Sequence, residues 1–141
     1  MKVIGMIAFS CFCGVAACAQ HVKEARVPAK VKMAFSKEYP HVPAKWEKEG
    51  KGYEVNFKKD GKSMSLVIDN MGSITETETG ITVAELPTPI AGYVKQHYMG
   101  AKITEASKIV DAKGTPTYEA RVKGKDVIFD SNGKFLKEAK G

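Results

Sequence analysis

The chain has 141 residues, 43% of them apolar, with 22 basic against 16 acidic side chains and a formal net charge of +6. That length suits one domain or two small repeats sharing a sheet or a core. Lysines alternate with carboxylates instead of forming a basic run, as in Lys45-Trp46-Glu47-Lys48-Glu49, which argues against a nucleic-acid-binding stripe.

At the start of the chain, Lys2 precedes an almost uncharged run, Val3 to Ala19, that ends in Ala17-Cys18-Ala19 before Gln20. The run is short for a membrane span and has small residues where signal peptidase cuts, so residues 1–19 read as a secretory signal peptide cleaved after Ala19. A competing reading takes Val15-Ala16-Ala17-Cys18 as a lipobox, with Cys18 as a lipid anchor. Cys11, Cys13 and Cys18 all lie in this leader, so a chain cut after Ala19 offers no disulfide, thiolate nucleophile or cysteine metal site. No later apolar run is long enough for a membrane span, and the expected location is periplasmic or secreted. Removing Lys2, the one charged residue of the leader, leaves 21 basic and 16 acidic side chains, a net charge of +5.

The remainder divides into halves of 61 residues, 20–80 and 81–141. After a few connecting residues each has an apolar residue and a proline, Val27-Pro28 and Leu86-Pro87, followed at the same spacing by Tyr39 and Tyr98. Val31, Phe35 and Tyr39 recur every four residues, as do Ile90, Val94 and Tyr98, so each half predicts a short amphipathic helix. Strand-like segments follow. In the first half they are Ala44 to Glu49, Tyr53 to Phe57, Ser63 to Asp69 and Ser73 to Thr79, with Gly80 closing the half. In the second they are Lys102 to Val110, Tyr118 to Val122, Asp126 to Asp130 and Lys134 to Glu138. Glycine-containing turns separate them, and the Tyr-Glu strand and the Asp-x-x-Gly turn recur in order, which argues for an internal duplication. The expected fold is α+β, with both helices on one face of an antiparallel sheet.

Chemistry-bearing patterns are weak. Asp130-Ser131-Asn132-Gly133 begins like a calcium loop but has Gly141 where the closing glutamate belongs, so it reads as a β-turn. His21, His41 and His97 lack metal-site spacing, and no serine sits in a nucleophile elbow. Glu76 and Glu78 share a strand face, but their threonine-rich setting reads as a solvated edge. Trp46, Tyr53, Phe57, Tyr118 and Phe129 offer either a binding platform or core; alternation with Val55 favours core for Tyr53 and Phe57, and Trp46, flanked by charges, is ambiguous. The reading is a chain with no cofactor, metal or catalytic residue.

Val-Pro at the helix start, Tyr39-Pro40, Lys45-Trp46-Glu47, Tyr53-Glu54-Val55, the Asp-x-x-Gly turn and Leu86-Pro87 together resemble the PepSY-like, β-lactamase-inhibitor-like (BLIP-like) proteins exported by Bacteroides-type bacteria. Met99 departs from the pattern where the first half has Pro40, and Gly92 weakens the second helix. The resemblance implies two tandem BLIP-like units, each one helix followed by four antiparallel strands, with the helices on one face of an open sheet. It also implies an exported non-catalytic binding module, an inhibitor or regulator of an envelope or extracellular enzyme, that uses the uncovered face. Alternation places Glu54, Asn56 and Lys58 there, with Glu119, Arg121 and Lys123 at equivalent, solvent-facing positions. The competing reading is a structural envelope protein or small-ligand carrier.

Overall fold

The computed structural model describes residues 20–140, so the signal peptide, its cleavage after Ala19 and the Cys18 lipobox lie outside the described residues. The order is β1 (Gln20–Val22), a 3-10 turn (Glu24–Arg26), α1 (Ala29–Glu38), β2 (Ala44–Glu49), β3 (Gly52–Lys59), β4 (Lys62–Ile68) and β5 (Ile74–Ile81). A second 3-10 turn (Val83–Glu85) leads into α2 (Thr88–His97), β6 (Ile103–Asp111), β7 (Pro116–Val122), β8 (Lys125–Phe129) and β9 (Phe135–Lys140). All nine strands form one antiparallel sheet in chain order. The helices are carried on the β1–β2 and β5–β6 connections.

Strand therefore dominates, and a unit of one helix followed by four strands does not account for β1. Its origin lies in the duplication. Val27 and Leu86, Pro28 and Pro87, and Tyr39 and Tyr98 are each 59 positions apart, and the same step carries Val22 at the end of β1 to Ile81 at the end of β5. Val22 pairs with Trp46 of β2, and Ile81 pairs with Ala106 of β6. The tail of β5 thus does for the second half what β1 does for the first, while its body still pairs with β4. Gly80, expected to close the first half, lies inside this shared strand.

Register puts both helices on the same side. Trp46 pairs with Val55, Val55 with Leu66, Leu66 with Thr77, and Thr77 with Val110. Further along, Ala106 pairs with Ala120 and Ala120 with Val127, which keeps the second core on that face. Helix α1 buries Val31 and Phe35 against it. The Phe35 ring meets Trp46 edge-on at 5.7 Å and Phe57 at 5.1 Å, so Trp46 belongs to the core. Helix α2 buries Ile90 and Val94, and Tyr93 stacks on Phe135 at 5.0 Å and meets Phe129 edge-on at 5.4 Å. The apolar residues form two clusters, one under each helix, joined by one sheet.

The Asp-x-x-Gly segments are tight turns. Asp69 Oδ1 accepts the amides of Met71 and Ser73, and Asp130 Oδ1 accepts those of Asn132 and Lys134, all at 2.9 Å. Gly72 and Gly133 take φ of +86° and +82°, which disfavours any side chain. Asp111 and Gly114 repeat the arrangement between β6 and β7.

Candidate functional site

Because side chains alternate along a strand, residues between the core positions emerge on the opposite face, which no described helix covers. One row there runs Glu47, Glu54, Val67, Glu76 and Asp111 from β2 to β6. A second runs Lys45, Asn56, Ser65, Glu78, Ile109 and Thr117. Beyond them Ser107, Glu119, Ile128 and Lys137 line up, as do Glu105, Arg121, Asp126 and Ala139. With Glu49 and Lys58, this face carries nine carboxylates against four cationic side chains. The described chain is +5 overall, so a face at −5 leaves +10 on the helix side, edges and turns.

Five of the six expected binding residues fall on this face, but not all are solvent-facing. Glu54 is 1% exposed and Glu119 6%, whereas Asn56 and Arg121 are half-buried and Lys58 is exposed. Lys123 lies past the end of β7, in the turn before β8, with φ +52°. The tight Lys123-Gly124 turn takes that residue out of the strand alternation. Arg121 is clamped in place: its Nε donates to Asp126 Oδ1 at 2.8 Å, its Nη2 donates to Asp126 Oδ2 at 3.2 Å, and Nη1 lies 3.5 Å from Glu105. Asp126 is 3% exposed, so this fork holds a buried charge.

Glu76 and Glu78 do not form the solvated edge that their threonine-rich setting suggests. They stand on β5, the central strand of the nine, and Glu78 is 3% exposed. Burial raises the Glu78 carboxyl to about 10, and neighbouring Glu119, Glu76 and Glu54 add repulsion. Burial likewise raises Glu54 to about 8, helped by Glu47, Glu49 and Glu76. Glu119 is pushed up by burial and then by Asp126, against the lowering effect of Arg121. The side chains of Asn56 and Ser107 favour the ionised forms of Glu54 and Glu78, but neither completes a hydrogen bond to them. Both carboxylate oxygens of each glutamate are buried without a hydrogen-bond partner. Strand position, not local composition, creates this environment, so periodicity alone missed it.

Among the described residues no group of three or more His, Cys, Asp or Glu side chains is placed to hold a metal ion. A cavity of about 420 Å³ lies at the end of α2, lined by Tyr93, His97, Tyr98, Lys125, Phe135 and Glu138 among others. Three of its polar groups engage one another, since Tyr98 donates to Glu138 and Lys125 pairs with Glu138 at 2.8 Å. Tyr93 and His97 stack at 3.9 Å on its wall.

A family model described as "Putative beta-lactamase-inhibitor-like, PepSY-like" matches the chain twice, over residues 15–76 and 72–137. No curated protein matches it. Among solved structures, a "putative periplasmic" protein from Bacteroides eggerthii is 16% identical with a TM-score of 0.71, covering 79% of this chain and 87% of that one. A DUF2874 family protein from Bacteroides uniformis is 18% identical with a TM-score of 0.70, covering 79% and 88%. A BLIP-like protein from Bacteroides fragilis is 22% identical with a TM-score of 0.63, covering 79% and 84%. At these identities the likeness concerns the fold alone.

Proposed function

This chain belongs to the PepSY-like, beta-lactamase-inhibitor-like family, and on that premise we propose that it is an exported, non-catalytic module that binds another envelope or secreted protein and inhibits or regulates it. The observation that carries this reading is the helix-free face of a continuous nine-stranded sheet, whose polar and charged rows cross both repeats. A face of this kind presents far more area than a small-molecule cavity, and protein interfaces of standard size need about 800 Å² per partner. The periplasmic description of the Bacteroides eggerthii relative and the leader-like N-terminus support placement in the periplasm or outside the cell, with processing after Ala19. No described helix is long and apolar enough to cross a membrane. On this proposal the repeat boundary falls between residues 80 and 81, inside β5, so that the body of this shared strand closes the first unit while its tail, like β1, leads into the following helix.

The test is affinity capture from the cognate envelope with the mature chain and with an Asn56→Arg variant. One partner held by the native chain and lost by the variant supports the face. Capture that is unchanged removes it, and reproducible turnover of a substrate by the purified chain, abolished by one substitution, would establish an enzyme instead.

A further inference from the structure

The helix-free face is acidic on a protein that is otherwise strongly basic, and resting on the reading above, we propose that it takes a lysine- or arginine-rich segment of its protein partner. The first support is charge: the face is −5 with every carboxyl ionised and −2 at pH 7 once Glu54, Glu78 and Glu119 are protonated, within a chain whose remaining surface is +10. Such a distribution orients an approaching basic surface toward one side of the molecule and repels it from the other. The second support is independent of the count. Glu54 and Glu78 are 1% and 3% exposed, and all four of their carboxylate oxygens are without a hydrogen-bond partner. A buried, unpaired carboxyl is costly to a fold, and a partner's cation is the group that satisfies it. In the free chain these oxygens are closed to solvent, so a docking cation reaches them by moving the neighbouring half-buried Asn56 and Glu76 side chains aside.

Size separates a protein segment from a small amine. The carboxylates run from Glu47 on β2 to Asp126 on β8, six inter-strand steps or about 29 Å. Glu54 and Glu78 stand two strands apart and one row apart, roughly 12 Å by ladder spacing, so each takes its own cation. Arginine fits best, because its guanidinium donates to both oxygens of a carboxylate at once. Lys45, Lys58 and Lys137 are the other cations on the face besides Arg121, which Asp126 and Glu105 already engage.

Proton release provides a readout that needs no variant. Burial holds Glu54 at about 8 and Glu78 at about 10, with Glu47, Glu49, Glu76 and Glu119 adding repulsion, so both are protonated in the free chain at pH 7. A cation bound beside them favours the ionised forms and expels the protons.

The experiment is calorimetric titration of the mature chain with octaarginine, and with octaglutamate as control, at pH 7 in two buffers of different ionisation enthalpy. Expected are one-to-one binding of octaarginine alone, affinity falling at least tenfold as salt rises from about 20 to about 200 mM, and release of one or more protons. Glu54→Gln with Glu78→Gln should weaken binding at least tenfold and abolish the release, whereas Glu38→Gln on α1 changes neither. Absence of octaarginine binding, binding without proton release, or self-association of the chain through this face in sedimentation overturns the proposal. If Asn56→Arg abolishes capture of the native partner while octaarginine does not bind, the surface stands and its cationic ligand falls.

Discussion

Gly133 closes the β8–β9 turn directly against Pro89 in the first turn of α2, and a Cβ on Gly133 would stand 3.2 Å from the Pro89 Cβ. The first repeat does the same: a Cβ on Gly72 would stand 3.0 Å from the carbonyl oxygen of Lys30, the residue equivalent to Pro89. Each helix is therefore seated on the glycine of the last hairpin of its own repeat. Gly133→Ala should lower stability by about 2 kcal/mol or more, combining a left-handed backbone with crowding. Gly114→Ala is the control, because Gly114 has φ +81° in the same kind of turn but nothing within 4 Å of an added Cβ. Urea unfolding of the two variants should show the larger loss at Gly133; equal losses would mean the helix contact contributes nothing.

The buried carboxyls set a pH dependence opposite to that of salt-bridged acids. Their folded values lie above the ordinary carboxylate value of 4.5, about 8 for Glu54 and about 10 for Glu78, so between those limits the folded chain binds more protons than the unfolded one. Their contribution is therefore most favourable below 4.5 and is lost as pH rises toward 8 for Glu54 and 10 for Glu78. Glu78→Gln should raise stability at pH 8 and flatten the decline by about 1.4 kcal/mol per pH unit. Urea midpoints at several pH values check this, and a slope that the variant leaves unchanged would refute it.

Arg121 has a structural duty that its strand position concealed. Removing its fork leaves Asp126 buried without its cation, so Arg121→Gln should destabilise the chain by about 3 kcal/mol. Lys58→Gln, at an exposed site, should change stability by less than about 0.5 kcal/mol. Thermal melts of both variants make the comparison. A mild effect at Arg121 would return it to the set of residues available to a partner.

Two cores joined by one sheet should unfold together. Phe129→Ala in the second core should cost about 3–5 kcal/mol. The fluorescence of Trp46, the one tryptophan and a member of the first core, should shift its urea midpoint by the same amount. A Trp46 transition that ignores Phe129→Ala would show that the halves unfold independently.

Much of this architecture was legible in the chain because it rests on local patterns. Val31, Phe35 and Tyr39 mark the α1 stripe, and alternation at Tyr53, Val55 and Phe57 marks the core face of β3. The turn aspartates and glycines announced the hairpins. What stayed hidden depends on long-range pairing. Neither β1 nor the inclusion of Gly80 in β5 carries a local signal, since each is defined by the strand beside it. Trp46 looked ambiguous because charges flank it along the chain, yet alternation sends those charges to the other face or to the sides. Glu54, Glu78 and Glu119 looked solvated for a related reason: alternation identifies the face of a strand but not how deeply that face is buried.

Engagement of the helix-free face by a protein partner is checked by site-specific photocrosslinking in the cognate envelope, with the photoreactive residue placed at Asn56 on that face or at Lys37 on the exposed side of α1. One discrete crosslinked species is expected from Asn56 and none from Lys37. Crosslinks from Lys37 with none from Asn56 would contradict that engagement.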